Sequence, residues 1–339
     1  MNILIVRLGA LGDLVHAVPA AAALRAAMPD ARIDWLVDAR HRPFLDLVTG
    51  LDRVVTLDGR SVSAWVDVIR RLRQVAYDVA IDFQGLMKSA VLARASGARR
   101  VLGFSMWHLR EKGARPFYSE TDDGTADTAG AVRHVIDKNL QLLKVLGVSA
   151  DAVRFPLADV PSDVMRHVGD EPFALINPGA AWPNKRWSPE RYGEVASFLR
   201  DVRGLRTLVL WGPGEAELAS AVVDASKGAA RLAPATRIPD ILALARAASL
   251  FVSGDTGPLH LAGAVGTPIV AIFGPTDPER NGPWAADDRV VSRWALCECA
   301  YQRQCHAATW CLDDVTVSEV SAAILQRLGS SASSRQRHV

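Results

Sequence analysis

Asp13 lies in RLGALGD (7–13), where two glycines separate a short apolar run from a helix-like stretch. The helix dipole favours an ionised carboxylate in a first helical turn, and such a carboxylate can act as a general base. A structural role, in which Asp13 only caps its helix, is the open alternative. The glycine spacing is not G-x-G-x-x-G, and Asp38 is only a weak candidate for the acidic partner of a dinucleotide site.

Two later loops carry residue types that suit a nucleotide. In NPGAAWPNKRW (177–187), Lys185 precedes a predicted helix start, where a cation can bind phosphate; a solvated surface lysine is the alternative. In WGPGEAE (211–217), a Gly-Pro-Gly turn after a predicted strand presents Glu215, whose carboxylate can accept ribose hydroxyls. An ordinary glutamate in a helical first turn is the competing interpretation.

The stretch SGDTGPLHLAGAVGTPIVAIFGPTDP (253–278) has the pattern of a strand, a loop and a helix that begins near Gly257 or Pro258. The backbone amides of Thr256 and Gly257 would then face an anion. His260 lies near the same turn and Asp255 could orient it, although a core histidine is equally compatible with the sequence. Together with the two preceding loops, this stretch predicts a site for a nucleotide diphosphate.

Cations gather in the first half of the chain, in DFQGLMKSA (82–90) and GFSMWHLREKGARPFY (103–118). Such a basic surface would suit an acidic acceptor, for example a phosphorylated or carboxylated glycolipid. For any single residue, a solvated helix face is the alternative. The polar and basic residues concerned are Gln84, Lys88, Arg110, Lys112 and Arg115, with Arg70, Arg71 and Arg73 upstream.

All four cysteines fall in one segment beside His306. Four thiolates suit tetrahedral zinc, but C-x-C-x5-C-x5-C is not a common zinc-finger spacing. Reduced thiols that pack in the fold are favoured over zinc, and a disulfide is not expected in the cytosol. The residues are Cys297, Cys299, Cys305 and Cys311.

The elements that must position these residues follow from the alternation of apolar runs with helix-like segments, which predicts parallel sheets covered on both faces. A proline-rich stretch at 156–172 predicts a linker between two such domains, which we expect to face each other across a cleft. The predicted divisions are 1–160, 161–315, a helix at 316–329 and a disordered tail at 330–339. The predicted strands are 2–6, 32–37, 54–57, 78–83, 173–179, 205–212, 249–257 and 268–275, and the predicted helices 14–28, 189–200 and 317–328.

Bulk properties exclude several classes of protein. A length of 339 residues, 49% of them hydrophobic, predicts two folded domains, and a net charge of +2 does not favour nucleic acid as a partner. No apolar run reaches the roughly 18 residues of a membrane span, and the N-terminal run is too short for a signal peptide. We therefore expect a cytoplasmic protein, with peripheral membrane contact left open.

Beyond these single features, four motifs resemble the family 9 glycosyltransferases, the ADP-heptose:lipopolysaccharide heptosyltransferases of GT-B fold. The motifs are RLGALGD, NPGAAWPNKRW, WGPGE and the 253–278 stretch, and the resemblance covers nearly the whole chain. DFQGLMKSA, REKGARPFY and HVIDKNL are most similar to heptosyltransferase I, which adds the first heptose to the Kdo of lipid A precursors. The cysteine segment is similar to C-termini of other members, including type II enzymes, so type II transfer stays an alternative.

The resemblance implies an inverting transfer from ADP-L-glycero-D-manno-heptose to Kdo, with no metal or other cofactor, at the cytoplasmic face of the inner membrane. Asp13 matches the general base, Lys185 the residue that binds the donor phosphates, and Glu215 the ribose ligand, although neighbouring Glu217 leaves that register open. Where relatives carry hydroxyls this chain has Ala180 and Ala181, so phosphate contact there would use backbone amides. The remaining donor-site matches are Gly179, Asp255, Thr256, Gly257 and His260, and the acceptor-site candidates are Gly12, Gln84, Lys88 and Arg110.

Two other functions compete with this one. A GT-B-like sugar-nucleotide epimerase or hydrolase would consume the donor without any acceptor. A non-catalytic module organised by the cysteines would bind nucleotide or metal without turnover.

Overall fold

The computed structural model describes residues 1–124 and 134–335, and side chains as far as residue 329. The chain divides into two compact units, Met1–Asp159 and Val160–Val339.

Six strands and at least five helices build the first unit. The strands are β1 (Asn2–Val6), β2 (Arg32–Asp38), β3 (Arg53–Leu57), β4 (Val79–Asp82), β5 (Arg100–Gly103) and β6 (Glu120–Thr121). The helices are α1 (Leu11–Ala27), α2 (Arg42–Leu45), α3 (Val62–Leu72), α4 (Met87–Ala95) and α5 (Val135–Leu143). Short 3-10 helices lie at Ala39–His41, Lys112–Phe117 and Lys144–Leu146.

All pairs in the first sheet are parallel, in the order β3-β2-β1-β4-β5-β6. Ile3 pairs with Ile33 on one side and with Val79 on the other. The four strands predicted in this half of the sequence are confirmed, whereas β5 and β6 were missed because they are only four and two residues long. The strand order reverses between β1 and β4, so the loops after these two strands diverge there and leave room for a ligand.

The second unit repeats this plan. Its strands are β7 (Phe173–Asn177), β8 (Arg206–Val209), β9 (Ala230–Leu232), β10 (Leu250–Gly254), β11 (Ile269–Phe273) and β12 (Arg289–Ser292). Its helices are α6 (Pro189–Arg203), α7 (Ala216–Ala225), α8 (Ile238–Ala247), α9 (Gly257–Ala264), α10 (Pro278–Asn281) and α11 (Val317–Arg335). Short 3-10 helices lie at Asp163–His167, Pro183–Lys185, Trp294–Leu296 and Cys311–Asp314.

The second sheet is also parallel throughout, in the order β12-β11-β10-β7-β8-β9. Its strand order reverses between β7 and β10. Successive residues of β7 enter different cores: Ala174 and Ile176 pack on one face of the sheet, and Phe173 and Leu175 on the other. This two-sided burial explains why the strands read as continuous apolar runs.

Local signals set several helix ends. Ser188 caps α6 by accepting a hydrogen bond from the Arg191 amide at 3.4 Å, and the helix ends at Gly204 in the left-handed conformation. The predicted capping box at the start of α11 is confirmed, because Thr316 and Glu319 each accept from the other's amide. That helix continues to Arg335, so residues 330–335 are helical where a disordered tail was expected; residues 336–339 lie outside the described residues.

Candidate functional site

Asp13 lies in the first turn of α1, on the loop that follows β1. Its Oδ1 is 2.7 Å from Nη2 of Arg7, and its Oδ2 accepts a hydrogen bond from the Ala10 amide at 3.1 Å. The Arg7 side chain is 9% exposed and also donates to the Phe83 carbonyl, which fixes the guanidinium, while Asp13 remains 30% exposed. The carboxylate is therefore held in one orientation and still reachable by a substrate, as a general base requires.

The loop that carries Asp13 lies against His41, which sequence reasoning missed. Gly9 has φ +153°, and a Cβ on it would lie 2.8 Å from Cδ2 and Nε2 of the His41 ring. A side chain at position 9 would therefore push the imidazole away. Burial, and then the charge of Arg40, lower the pKa of His41, so a neutral imidazole packs beside this loop at neutral pH. A single histidine between two arginines gives no sequence signal for such a contact.

Gln84 connects the two loops at the point where the first sheet reverses its order. Its side-chain Oε1 accepts from the Leu8 amide at 2.8 Å, and its own amide donates to Asp82 at 2.8 Å. Asp82 is fully buried, which raises its pKa, while hydrogen bonds from Tyr118, Ser89 and nearby amides oppose the rise. The predicted acceptor residue Gln84 is thus partly committed to holding its own loop.

The other predicted acceptor residues lie on two adjoining segments. Gly12 and Lys88 are each the second residue of a helix, α1 and α4 respectively. Arg110 is exposed, and the next residue, Glu111, accepts from the Met87 amide at 2.7 Å and donates its amide to the Gly85 carbonyl at 3.2 Å. The segments bearing Lys88 and Arg110 are therefore neighbours.

The arginines of α3 bind within their own part of the fold. Arg70 pairs with Asp67 at 2.9 Å, Arg71 donates to the Thr56 carbonyl at 2.6 Å, and Arg73 donates to the Ala95 carbonyl at 2.9 Å. Downstream, Arg115 donates to the Tyr118 carbonyl at 3.1 Å and Lys112 is exposed. The basic residues that the sequence analysis grouped into one surface therefore differ in their contacts. Some bind a carboxylate or a backbone carbonyl, whereas Lys112 is exposed to solvent.

In the second unit, Asp255 is the centre of a buried polar cluster. Its Oδ2 is 2.6 Å from Nζ of Lys185 and accepts from the Thr276 hydroxyl at 2.8 Å, and its Oδ1 is 3.1 Å from Nε2 of His260. Burial by itself would raise the pKa of Asp255, but the hydrogen bond with His260 and the charge of Lys185 hold it well below the usual range. The structure therefore brings Lys185, Asp255 and His260 together, and adds Thr276, which sequence reasoning did not select.

The loops after β7 and β10 meet beside this cluster. Nδ2 of Asn177 lies 3.2 Å from Oγ of Ser253, from Oγ1 of Thr256 and from the Gly179 carbonyl oxygen. Thr256 in turn caps α9 by accepting from the Leu259 amide at 3.4 Å. The predicted helix start at Gly257 is confirmed, and its first amides lie where the second sheet reverses its order.

Glu215 lies against the same loop from the β8 side. A Cβ on Gly179 would lie 2.3 Å from the Glu215 carboxyl carbon, so only a glycine allows this approach. Oε2 of Glu215 also accepts from the Gly212 amide at 3.0 Å. Glu217 is exposed in the first turn of α7. The structure thus places Glu215 against the loop that contains Gly179, Ala180 and Ala181. It gives no such contact for Glu217.

Trp182 adds an aromatic ring to this loop. Nζ of Lys185 lies 4.5 Å from the centroid of the Trp182 ring system, and the guanidinium carbon of Arg303 lies 5.9 Å from it. Both distances are in the range of cation–π contacts. Lys185 is three residues from Trp182, a spacing visible in the sequence, whereas the contact with Arg303 spans more than a hundred residues and had no sequence signal.

The four cysteines are free thiols. Sγ of Cys299 accepts from the His306 amide at 3.1 Å, and hydrogen bonding with Cys305 and with that amide lowers the pKa of Cys299. Burial, with Cys297 close by, raises the pKa of Cys311 to about 12. Within residues 1–124 and 134–335, no group of three or more His, Cys, Asp or Glu side chains is arranged to hold a metal.

None of the helices in the described part of the chain combines the length and hydropathy needed to cross a bilayer.

Comparison with known proteins gives a family and relatives. The family model for glycosyltransferase family 9 (heptosyltransferase) matches residues 65–310. Lipopolysaccharide heptosyltransferase 1 of Pseudomonas aeruginosa is 28% identical over 302 residues, 84% of this chain and 81% of that protein. Lipopolysaccharide heptosyltransferase 3 of Escherichia coli is 26% identical over 302 residues, 84% of this chain and 85% of that protein.

A solved structure supports the fold. The E. coli heptosyltransferase WaaC with ADP superimposes with a TM-score of 0.78 at 24% identity, covering 96% of this chain and 100% of that one. The two parallel six-stranded sheets with flanking helices thus have the GT-B architecture.

Proposed function

The chain belongs to glycosyltransferase family 9, and from that premise we propose that it is a lipopolysaccharide heptosyltransferase that uses ADP-L-glycero-D-manno-heptose as its donor. One observation carries the proposal. In each sheet, the residues suited to the chemistry occupy the loops at the point where strand order reverses: Asp13 and Gln84 in the first, Lys185 and Asp255 in the second. These are the positions at which open parallel sheets bind ligands.

We assign the donor to the second unit. Lys185 and the first amides of α9 suit the diphosphate, because a cation and a helix N-terminus both stabilise negative charge. Glu215 suits the ribose, since its carboxylate can accept two hydroxyls and lies against the Gly179 backbone. Asp255 and His260 hold Lys185 and the loop in place.

We assign the chemical step to Asp13. The carboxylate removes the proton from the acceptor hydroxyl as that oxygen forms a bond to the anomeric carbon of the heptose. The bond from that carbon to the diphosphate oxygen breaks on the opposite side, so the configuration inverts and ADP leaves with the bonding electron pair. The fixed position of Asp13 between Arg7 and the Ala10 amide supports this role.

As acceptor we propose the Kdo of a lipid A precursor, as in type I transfer. Lys88 and Arg110, on neighbouring segments of the first unit, suit the carboxylate of Kdo. Relatives named heptosyltransferase 1 and heptosyltransferase 3 are similarly close, so type III transfer competes with type I. Type II transfer stays the alternative that the cysteine segment suggests.

A lipid-linked acceptor also suggests peripheral contact with the cytoplasmic face of the inner membrane. Trp107 is 60% exposed and lies three residues before Arg110, a combination typical of surfaces that touch anionic lipid. Flotation of the protein with anionic vesicles, and its loss in Trp107→Ser, would check this contact. Equal flotation of the wild type and Trp107→Ser would show that Trp107 takes no part in the membrane contact.

One assay tests the function. The protein is incubated with ADP-heptose and Kdo-lipid A, and the lipid products are read by mass spectrometry. We expect one heptose to be added to Kdo-lipid A. Addition only to an acceptor that already carries heptose would exclude type I transfer, and donor consumption without any acceptor would favour the epimerase or hydrolase.

A further inference from the structure

The cysteine segment, residues 297–311, touches the donor loop at two points. The Gln302 carbonyl accepts from the side-chain amide of Asn184 at 2.9 Å, and the Arg303 guanidinium lies 5.9 Å from the centroid of the Trp182 ring system. Trp182 directly precedes the 3-10 turn Pro183–Lys185, and Asn184 is the middle residue of that turn. A segment that the proposed chemistry leaves unused therefore delivers a cation to the loop on which that chemistry depends.

The charge balance of the donor site indicates a use for this cation. Lys185 is only 14% exposed and its charge is matched by Asp255, 2.6 Å away. A nucleoside diphosphate carries more than one negative charge, so an internally neutral pair leaves most of that charge without a partner. Ala180 and Ala181 offer no side-chain hydroxyls to the phosphates. A second cation beside Lys185 would supply the positive charge that the Lys185–Asp255 pair does not offer to a diphosphate.

The segment is built to hold Arg303 at that place. The Tyr301 amide donates to the Pro275 carbonyl at 2.8 Å, and Tyr301 takes φ +57°, a left-handed conformation that is unfavourable for a tyrosine. On the other side of Arg303, the His306 amide donates to the thiol sulfur of Cys299. Contacts before and after Arg303 thus fix the backbone, while its exposed side chain remains available to a ligand.

We propose that Arg303 is a second diphosphate-binding residue of the donor site, which shares the Trp182 ring with Lys185. The proposal rests on the proposed function, because it assigns Arg303 to the same nucleotide. Arg303 binds the phosphate oxygens by charge-assisted hydrogen bonds, and the Trp182 ring keeps its guanidinium beside the loop. The cysteine segment is then a support for this arginine through the Cys299 contact.

Calorimetric titration with ADP tests the proposal in the wild-type protein, Arg303→Met and Arg303→Lys. We expect Arg303→Met to weaken ADP binding about tenfold, the effect of one lost charge-assisted hydrogen bond, and Arg303→Lys to weaken it less. Adenosine, which has no phosphate, should compete equally well in all three proteins. Arg203→Met, at the exposed end of α6, is the matched control and should bind ADP like the wild type.

The outcomes separate the two claims. Wild-type affinity for ADP in Arg303→Met would overturn the role of Arg303 while leaving the proposed function intact. An equal loss of ADP and adenosine binding would also overturn it, since the arginine would then support the loop and not the phosphates. A wild-type protein that binds no ADP at all would instead contradict the proposed function.

Discussion

Asp13 follows β1 and Asp255 follows β10, so each lies beside the point where the strand order of its own sheet reverses, yet their surroundings differ. Asp13 has Arg7 and one backbone amide as partners and is 30% exposed. Asp255 contacts Lys185, His260 and Thr276 and is 7% exposed. The difference teaches that one carboxylate is left open to substrate, whereas the other is committed to holding neighbouring side chains.

The roles proposed for them follow from this difference in accessibility. A general base must reach the proton that it removes, and Asp13 is the more accessible of the two carboxylates. Asp255 is nearly buried and contacts three side chains, so we expect its charge to stabilise the position of Lys185 and not to act on a substrate. The two residue types are identical, and only their partners distinguish a candidate base from a candidate scaffold.

The largest expected effect separates the two carboxylates directly. Asp13→Asn keeps the shape of the side chain but removes its basicity, so we expect transfer to fall about a thousandfold while ADP affinity is unchanged. Radiolabelled heptose transfer and ADP calorimetry measure the two quantities. Asp30→Asn, an exposed aspartate in the same unit, is the control. Substantial turnover by Asp13→Asn would contradict the base role.

Asp255→Asn should act on stability and binding together. It leaves the ammonium of Lys185 largely buried without its counter-charge, and breaking such pairs costs about 3 kcal/mol of the free energy of unfolding. We also expect weaker ADP binding, since the position of Lys185 is no longer fixed. Urea unfolding and ADP calorimetry measure these effects. Unchanged stability would show that the cluster does not depend on the charge of Asp255.

The pH dependence of the free energy of unfolding also tests the contribution of the Asp255 charge. Because the pKa of Asp255 is held below its usual range, the ionised form stabilises the folded state above about pH 4, and this contribution is lost as the pH falls further. The wild type should therefore lose stability below about pH 4 more steeply than Asp255→Asn. Parallel urea titrations at several pH values give the comparison, and identical slopes would contradict it.

Arg7→Lys tests how far the orientation of Asp13 matters. Lysine keeps the charge but cannot bond Asp13 and the Phe83 carbonyl with two separate amino groups, so we expect kcat to fall about tenfold with ADP affinity unchanged. Arg32→Lys, whose partner Asp34 is 3.0 Å away, is a matched control in the same unit. Equal activity of both variants would mean that the guanidinium geometry is not required.

The smallest effect decides which glutamate serves the ribose. Glu215→Gln should raise the KM for the donor about fivefold, because Glu215 is the carboxylate that lies against Gly179. Glu217→Gln should behave like the wild type, since Glu217 is exposed on α7. Steady-state kinetics on both variants settle the register, and the reverse result would assign the ribose to Glu217.

The sequence by itself determined the longer strands, several helix starts and the loops that bear the chemistry. Apolar runs and helix signals such as Ser188-Pro189 and the Thr316–Glu319 capping box are local patterns, so they predict local structure. Strands β5, β6, β9 and β12 escaped because their two to four residues carry little periodicity.

The tertiary structure decided which side chains meet. Asp255 lies 70 residues from Lys185, and Arg303 lies still farther along the chain from Trp182, so their contacts depend on strand order and loop path. His41 packs on Gly9 for the same reason. Periodicity reports which face of an element is buried, but contacts between distant segments form only once the sheets bring their loops to a shared edge.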